Sequence, residues 1–295
     1  MAKDEFNRQW ILDNGIPIVK DYRNEGLDLT LRALHYRLVS VGMTNTVRHY
    51  KRVIAAMTQA RWEGSVDFTD FKDHDRTVLG STEYYETDVH EQVDSSIGLI
   101  EHVLTSYSKN RWENQPNYVE VFIEKKALQG VFSKPCSSNK VALCPCKGYP
   151  SLTYVNDAVD RFREAKSLGK KLIILYFGDY DPSGEDIPRN LKATMLRMGI
   201  DVNVKRIALM EEQVVAWGLP PAPAKLTDSR TANWNGLGQV ELDAVEPRKL
   251  MRMVENAIEE VFDNELHEEL LIAQRSEGVI YIDEMKEKIN DILDN

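Results

Sequence analysis

One stretch limits the possible folds of this chain more than any other: Leu172-Ile173-Ile174-Leu175-Tyr176-Phe177-Gly178-Asp179-Tyr180-Asp181-Pro182-Ser183-Gly184. An apolar run of strand length ends in two aspartates one residue apart, and Pro182 and Gly184 then impose a turn. In an extended segment residues i and i+2 share a side, so Asp179 and Asp181 can aim at one point beyond the strand's carboxyl end. Ligands of open α/β sheets bind at that edge. Two hard oxygen donors there suit Mg²⁺ together with waters and a phosphate, which points to metal-assisted chemistry on a phosphodiester. Two acids at a strand-to-loop junction also serve as turn or helix-cap residues. A second run, Tyr118-Val119-Glu120-Val121-Phe122-Ile123-Glu124-Lys125, reads as a strand that also ends on a carboxylate. Were the two strands neighbours in a parallel sheet, Glu124, Asp179 and Asp181 would gather around one ion.

The chain has 295 residues, 42% of them hydrophobic and 28% charged, as in a globular protein with a substantial core. No apolar stretch approaches the ~20 residues of a membrane span, and Met1-Ala2-Lys3-Asp4-Glu5 lacks a signal-peptide pattern. The expectation is therefore a cytoplasmic protein with no membrane partner. Cys136, Cys144 and Cys146 do not form a disulfide framework, and their spacing fits no usual zinc pattern. They read as reduced, structural thiols.

The net charge is −10, but it is unevenly spread. From Glu255 onward thirteen acidic residues face only Arg275, Lys286 and Lys288, which accounts for the whole imbalance. Between Leu29 and Trp62 there is no Asp or Glu, while Arg32, Arg37, Arg48, Lys51, Arg52 and Arg61 all fall there, with His35 and His49. A basic segment of this kind suits nucleic acid better than the overall charge does.

That segment reads as two helices joined by a tight turn. Thr30 caps the first, whose buried stripe is Leu31, Leu34, Leu38 and Val41, and Gly42 ends it. Thr46 caps the second, with Val47, Tyr50, Ile54 and Met57 inward. A helix-turn-helix whose second helix carries Arg48, Lys51 and Arg52 fits a DNA-binding module; a helical hairpin with a solvated basic face is the plain alternative. Tyr36 lies about 200° around the wheel from the stripe, with Arg32 one turn before it. It is either a candidate nucleophile towards phosphate, needing outside activation because a free phenol ionises near ~10, or a tyrosine that packs by its ring.

Residues 105–117 are polar and aperiodic and read as a linker. Beyond them strands and helices alternate: Tyr118–Glu124, Val141–Leu143, a helix over Leu152–Leu168 stopped by Gly169, the Asp-x-Asp strand, a helix ending before Gly199, a strand over Val202–Ala208, a helix to Trp217, a Pro-rich loop at 219–223, Gln239–Leu242, and a helix from Pro247 to Phe262. Such alternation implies a mainly parallel sheet flanked by helices on both faces. The expected domains are 1–105 and 116–295, the second with acidic C-terminal helices. No Gly-x4-Gly-Lys-Ser/Thr string is present, so no ATP site of that type is encoded.

Taken together, Glu124-Lys125 and Asp179-x-Asp181-Pro-x-Gly184 resemble the Toprim metal site of the family formed by the A subunit of DNA topoisomerase VI and the meiotic double-strand-break transesterase. Thr30-Leu31-Arg32-Ala33-Leu34-His35-Tyr36 resembles that family's winged-helix signature; the family often has an aromatic residue where this chain has His35. Asp73-x-x-Arg76, Gly148-Tyr149-Pro150-Ser151, Leu219-Pro220-Pro221, Lys225-x-x-Asp228-x-Arg230 and Glu241-Leu242-Asp243-Ala244 are similar to further elements of the group. The likeness spans about Leu29 to Phe262, in a chain shorter at its N-terminus than a full A subunit, where the family meets its ATPase B subunit.

The resemblance implies an N-terminal winged-helix domain followed by a Toprim-like domain. It also implies Mg²⁺-dependent cleavage of double-stranded DNA by a tyrosine transesterase of the type IIB topoisomerase class. Tyr36 would be the nucleophile that becomes joined to the 5′ side of the break, with Arg32 and Lys125 neutralising the phosphorane and Glu124, Asp179 and Asp181 holding the metal. Arg37, Arg48, Lys51, Arg52, Lys225 and Arg230 would contact DNA. The active protein would be a homodimer in which one protomer's tyrosine meets the other's metal site; a separate B-type ATPase is a possible partner, and ATP-coupled strand passage is in question. Two alternatives stay open: a Toprim nuclease using metal-bound water, and a non-catalytic DNA-binding protein.

Overall fold

The computed structural model describes residues 5–73, 88–220 and 238–293. Arg76, Lys225, Asp228 and Arg230 lie outside the described residues. Two compact units are formed, one from residues 5–73 with Asn117–Val261, the other from residues 88–116 with 262–293. The basic N-terminal helices and the sheet thus belong to one body. Among the described residues no helix is long and apolar enough to cross a membrane.

The first unit holds a four-stranded, all-parallel sheet in the order β2-β1-β3-β4, with β1 Asn117–Ile123, β2 Ala142–Pro145, β3 Lys171–Phe177 and β4 Asn203–Ala208. Buried on both faces, β1 and β3 are near-continuous apolar runs, as parallel strands are. They are neighbours in register, Ile123 opposite Phe177, as the two carboxylate-ending runs required. The chain leaves β1 through α5 (Gln129–Ser138) to one edge of the sheet, and leaves β3 through α7 (Pro182–Arg197) to the other. The strand order therefore reverses between β1 and β3, and the crevice at such a switch point is where open α/β sheets place ligands. One face is covered by α6 (Leu152–Ser167) and α7, whose Val155, Val159, Phe162, Ile187, Leu191 and Met195 pack on Phe122, Ile174 and Tyr176. On the other face α5 packs against α8 (Pro247–Glu259), and Phe132 of α5 meets Phe177 edge-on.

The N-terminal part of this unit is helical: α1 (Arg8–Asn24), α2 (Leu31–Ser40) and α3 (Val47–Trp62), followed by a 3-10 turn at Phe68–Asp70. Thr30 and Thr46 cap α2 and α3 by accepting from the Ala33 and His49 amides, so the helix-turn-helix forms where the caps predict it. Among the described residues no strand accompanies it. The buried stripe of α2 narrows to Leu34 and Leu38, with Val41 left exposed. The inner face of α3 is Val53, Ala56, Met57 and Ala60, so that of the predicted Val47, Tyr50, Ile54 and Met57 only Met57 is fully buried. Val47 opens the helix, ahead of the turns that α1 and α2 cover, and α1, absent from the sequence reading, sets the face to be buried.

The second unit pairs α4 (Val89–Thr105) with α9 (Asn264–Leu293). Of residues 105–117, expected to be a linker, those up to Pro116 are bound into it. The Gln115 side chain exchanges two hydrogen bonds with the Asp263 backbone, at 2.8 and 2.7 Å, and Trp112 is buried edge-on against Phe262.

Candidate active site

β1 and β3 deliver Glu124 and Asp179 side by side. The Glu124 amide donates to the Phe177 carbonyl at 2.9 Å, and Glu124 Oε2 accepts from the Asp179 amide at 2.9 Å. Close approach here depends on two glycines. A Cβ at Gly178 would lie 2.7 Å from Tyr176 Oη and 2.9 Å from Glu124 Oε2, and one at Gly184 would lie 2.1 Å from the Asp179 carbonyl oxygen. Asp181 caps α7, its Oδ1 accepting from the Gly184 amide at 2.7 Å, with Pro182 at the first helical position. The cap role allowed by the sequence is thus real for Asp181.

Between the two aspartates, Tyr180 forms an antiparallel bridge with Val240, at 2.8 and 2.9 Å. That bridge carries Glu241, Leu242 and Asp243 to the sheet edge. The Leu242 amide donates to Asp179 Oδ1 at 2.8 Å. Lys125, next after Glu124, places Nζ 3.2 Å from Asp179, 3.1 Å from Glu241 and 3.4 Å from Asp243. Arg206 of β4 donates to the Asp179 and Leu209 carbonyls at 2.9 and 2.6 Å.

From the other side α2 presents Arg32 and Tyr36. Tyr36 does point away from the three-helix core, yet it is buried because it docks on this edge. Its hydroxyl donates to Glu241 Oε2 at 3.0 Å. Arg32 donates to the same oxygen through Nε at 2.9 Å and through its terminal nitrogen, and lies 3.2 Å from Asp243. All these contacts fall within one chain and one unit.

The electrostatics follow from burial. Desolvation raises Asp179 to about 7, against the pull of Lys125, and the like charges of Glu124 and Asp243 add to the rise. Burial raises Glu241 too, but Lys125 and Arg32 overcome it and hold this carboxyl at about 2. Burial and the Glu241 charge push the Tyr36 phenol well above its usual value, with Arg32 opposing them. Tyr36 therefore keeps its proton in this arrangement.

The expected gathering of Glu124, Asp179 and Asp181 is incomplete. Among the described residues no group of three or more His, Cys, Asp or Glu side chains is arranged to hold a metal ion. Lys125 stands 3.2 Å from Asp179 without offsetting its burial, and one oxygen of Asp181 is taken by its cap. The donor chemistry still fits a hard divalent cation. Five buried acids (Glu124, Asp179, Asp181, Glu241 and Asp243) crowd this edge, and the strain on Asp179 is what a cation relieves. A depression of about 400 Å³ opens beside Glu124, lined also by Lys125, Lys126 and Lys147.

Of the expected DNA contacts, Arg48 and Lys51 are exposed on α3 and Arg52 is half-buried, reaching towards the Phe6 carbonyl at 3.5 Å. Arg37 turns inward, donating to the Ala244 carbonyl at 2.6 Å. The three cysteines are free and buried, and burial pushes Cys136 and Cys146 up to about 12, so they are inert thiols. Sequence reasoning gave no role to Glu241, Asp243 or Arg206. The available signal was the i,i+2 acid pair Glu241-x-Asp243, the same spacing as Asp179-x-Asp181. Neither a protein-family model nor a curated protein matches this chain.

Proposed function

We propose that this chain cleaves double-stranded DNA by tyrosine transesterification, as a relative of the topoisomerase VI A subunit. In this reading the helix-turn-helix belongs to a winged-helix module and the sheet to a Toprim-like domain. The observation that carries it is the meeting of Arg32 and Tyr36, from a basic helix-turn-helix, with Lys125 and the buried acids at the switch point of the sheet. A nucleophile, two cations and a carboxylate cluster occupy one edge.

In the reaction the Tyr36 oxygen bonds to phosphorus while the bond from phosphorus to the 3′ oxygen breaks. The phenolic proton leaves to solvent and the departing 3′ oxygen takes one up, giving a 5′-phosphotyrosyl link and a 3′ hydroxyl; resealing is the reverse. Glu241 is too weak a base to take that proton, given its depressed pKa. Arg32 and Lys125 stabilise negative charge on the phosphoryl oxygens. Glu124, Asp179 and Asp181 would hold Mg²⁺, which when bound supplies further neutralisation at the phosphate and the leaving oxygen. Arg48 and Lys51 contribute sequence-independent backbone affinity. Homodimer formation and a separate ATPase partner belong to the same proposal through the resemblance, but the tyrosine that meets this edge is the chain's own and not a second protomer's.

The deciding experiment is to quench a reaction of the full chain with plasmid DNA and Mg²⁺ by denaturant and look for protein covalently joined to DNA 5′ ends. An adduct in the wild type that is absent in Tyr36→Phe is the expected result. Cutting by Tyr36→Phe with no adduct in the wild type would replace this reading with a nuclease in which water attacks.

A further inference from the structure

Two hydrogen-bond donors and an ion-paired ammonium meet on a single atom. Tyr36 Oη at 3.0 Å, Arg32 Nε at 2.9 Å and Lys125 Nζ at 3.1 Å all converge on Glu241 Oε2. A hydroxyl, a guanidinium and an ammonium around one anionic oxygen make the set that a non-bridging phosphodiester oxygen would require, and a guanidinium pairs with phosphate as readily as with carboxylate. We infer that Glu241 occupies the seat of a backbone phosphate, as a built-in anion that DNA must displace before Tyr36 can react. The inference rests on the reading of Arg32, Tyr36 and Lys125 as parts of a DNA-cleaving site.

The surroundings suit such an exchange. The backbone at Glu241 is held by the Tyr180–Val240 bridge and by the Leu242 amide on Asp179, so the side chain is what has to swing out, from beneath the buried Tyr36 and past the half-exposed Arg32. The cations do not collapse when it goes. Arg32 keeps Asp243 at 3.2 Å, and Lys125 keeps Asp179 at 3.2 Å and Asp243 at 3.4 Å. The seat is therefore preorganised, and incoming phosphate pays little to assemble it. While Glu241 is in place, its charge helps keep the tyrosine protonated and occupies both cations, so the nucleophile is held unreactive until substrate arrives.

The ligand class is a phosphate monoanion or phosphodiester, and inorganic phosphate and a short DNA duplex serve as probes. Glu241→Gln keeps the shape and removes the competing charge. Relative to wild type, this variant should bind the duplex on the order of tenfold more tightly, and inorganic phosphate should raise its Tm where it leaves wild type nearly unchanged. Adding Arg32→Gln should abolish both gains. Equal or weaker binding by folded Glu241→Gln, or a gain that survives Arg32→Gln, would overturn the inference. Should Glu241→Gln fold poorly, Glu241→Asp, which draws the carboxylate back by one methylene, should show a smaller gain of the same sign, and no gain there counts against the seat. None of these readouts measures cleavage, so the seat can fail while the transesterase reading stands, and the reverse.

Discussion

Arg37 of α2 donates a 2.6 Å hydrogen bond to the carbonyl of Ala244, which ties the helix carrying Tyr36 to the segment carrying Glu241. A basic side chain expected on the DNA surface is thus a structural strut.

Arg37→Ala should therefore lower stability by about 1.5–3 kcal/mol, the range for a hydrogen bond to a charged group. It should leave the salt dependence of DNA binding unchanged. Denaturant titration and a salt series of binding isotherms check the two halves.

Arg48 and Lys51 behave oppositely, being exposed on α3. Reversing both to Glu should weaken DNA binding and reduce the slope of log K against log salt by about 2, close to one per lost phosphate contact. A wild-type slope would mean that α3 does not face the backbone.

Tyr36→Phe removes one donor from Glu241, which retains Arg32 and Lys125. Stability should fall by only about 1 kcal/mol and DNA affinity should hold, while cleavage and the covalent adduct disappear together. Gel analysis of denaturant-trapped reactions reads both.

Glu241 gives a pH signature. Its folded pKa of about 2 lies below the ordinary 4.5, because Lys125 and Arg32 outweigh burial. Its stabilisation is complete above the unfolded value and is lost as pH falls from about 4.5 towards 2. The amount is about 3 kcal/mol by linkage. Thermal melts of wild type and Glu241→Gln should converge across that interval.

Asp179 sits buried beside the like charges of Glu124 and Asp243. Asp179→Asn should make the metal-free protein more stable near neutral pH and abolish cleavage. Mg²⁺ should raise the Tm of wild type and leave the variant unmoved; an equal response in both would remove Asp179 from the metal ligands.

The sheet was legible because its signals are local. β3 announces itself by an apolar run closed by Gly178, Pro182 and Gly184, and Thr30 and Thr46 mark the helix starts by their hydroxyls. α1 was hidden because Gly15 and Pro17 in its interior read as breakers, and without α1 the inner face of α3 could not be assigned. The carboxylate cluster was half visible. Glu124 and Asp179 follow from strand ends, but Glu241 reaches Tyr36 across 205 residues of sequence. It does so through the isolated Tyr180–Val240 bridge, which no periodicity encodes. Lys125 was assigned to phosphate, while its contacts with Glu241 and Asp243 depend on a segment that joins the edge from more than a hundred residues away.

Gly178 and Gly184 bear on how variation in this chain should be interpreted. With 2.9 Å to a carboxylate oxygen at one and 2.1 Å to a backbone oxygen at the other, neither has room for a methyl group. In a saturation library scored for function, both positions would come out as intolerant as Tyr36, although neither touches a proton or a phosphate. Such a scan would rank room and reactivity alike, and only replacements that keep the volume, as phenylalanine does for Tyr36, tell one from the other.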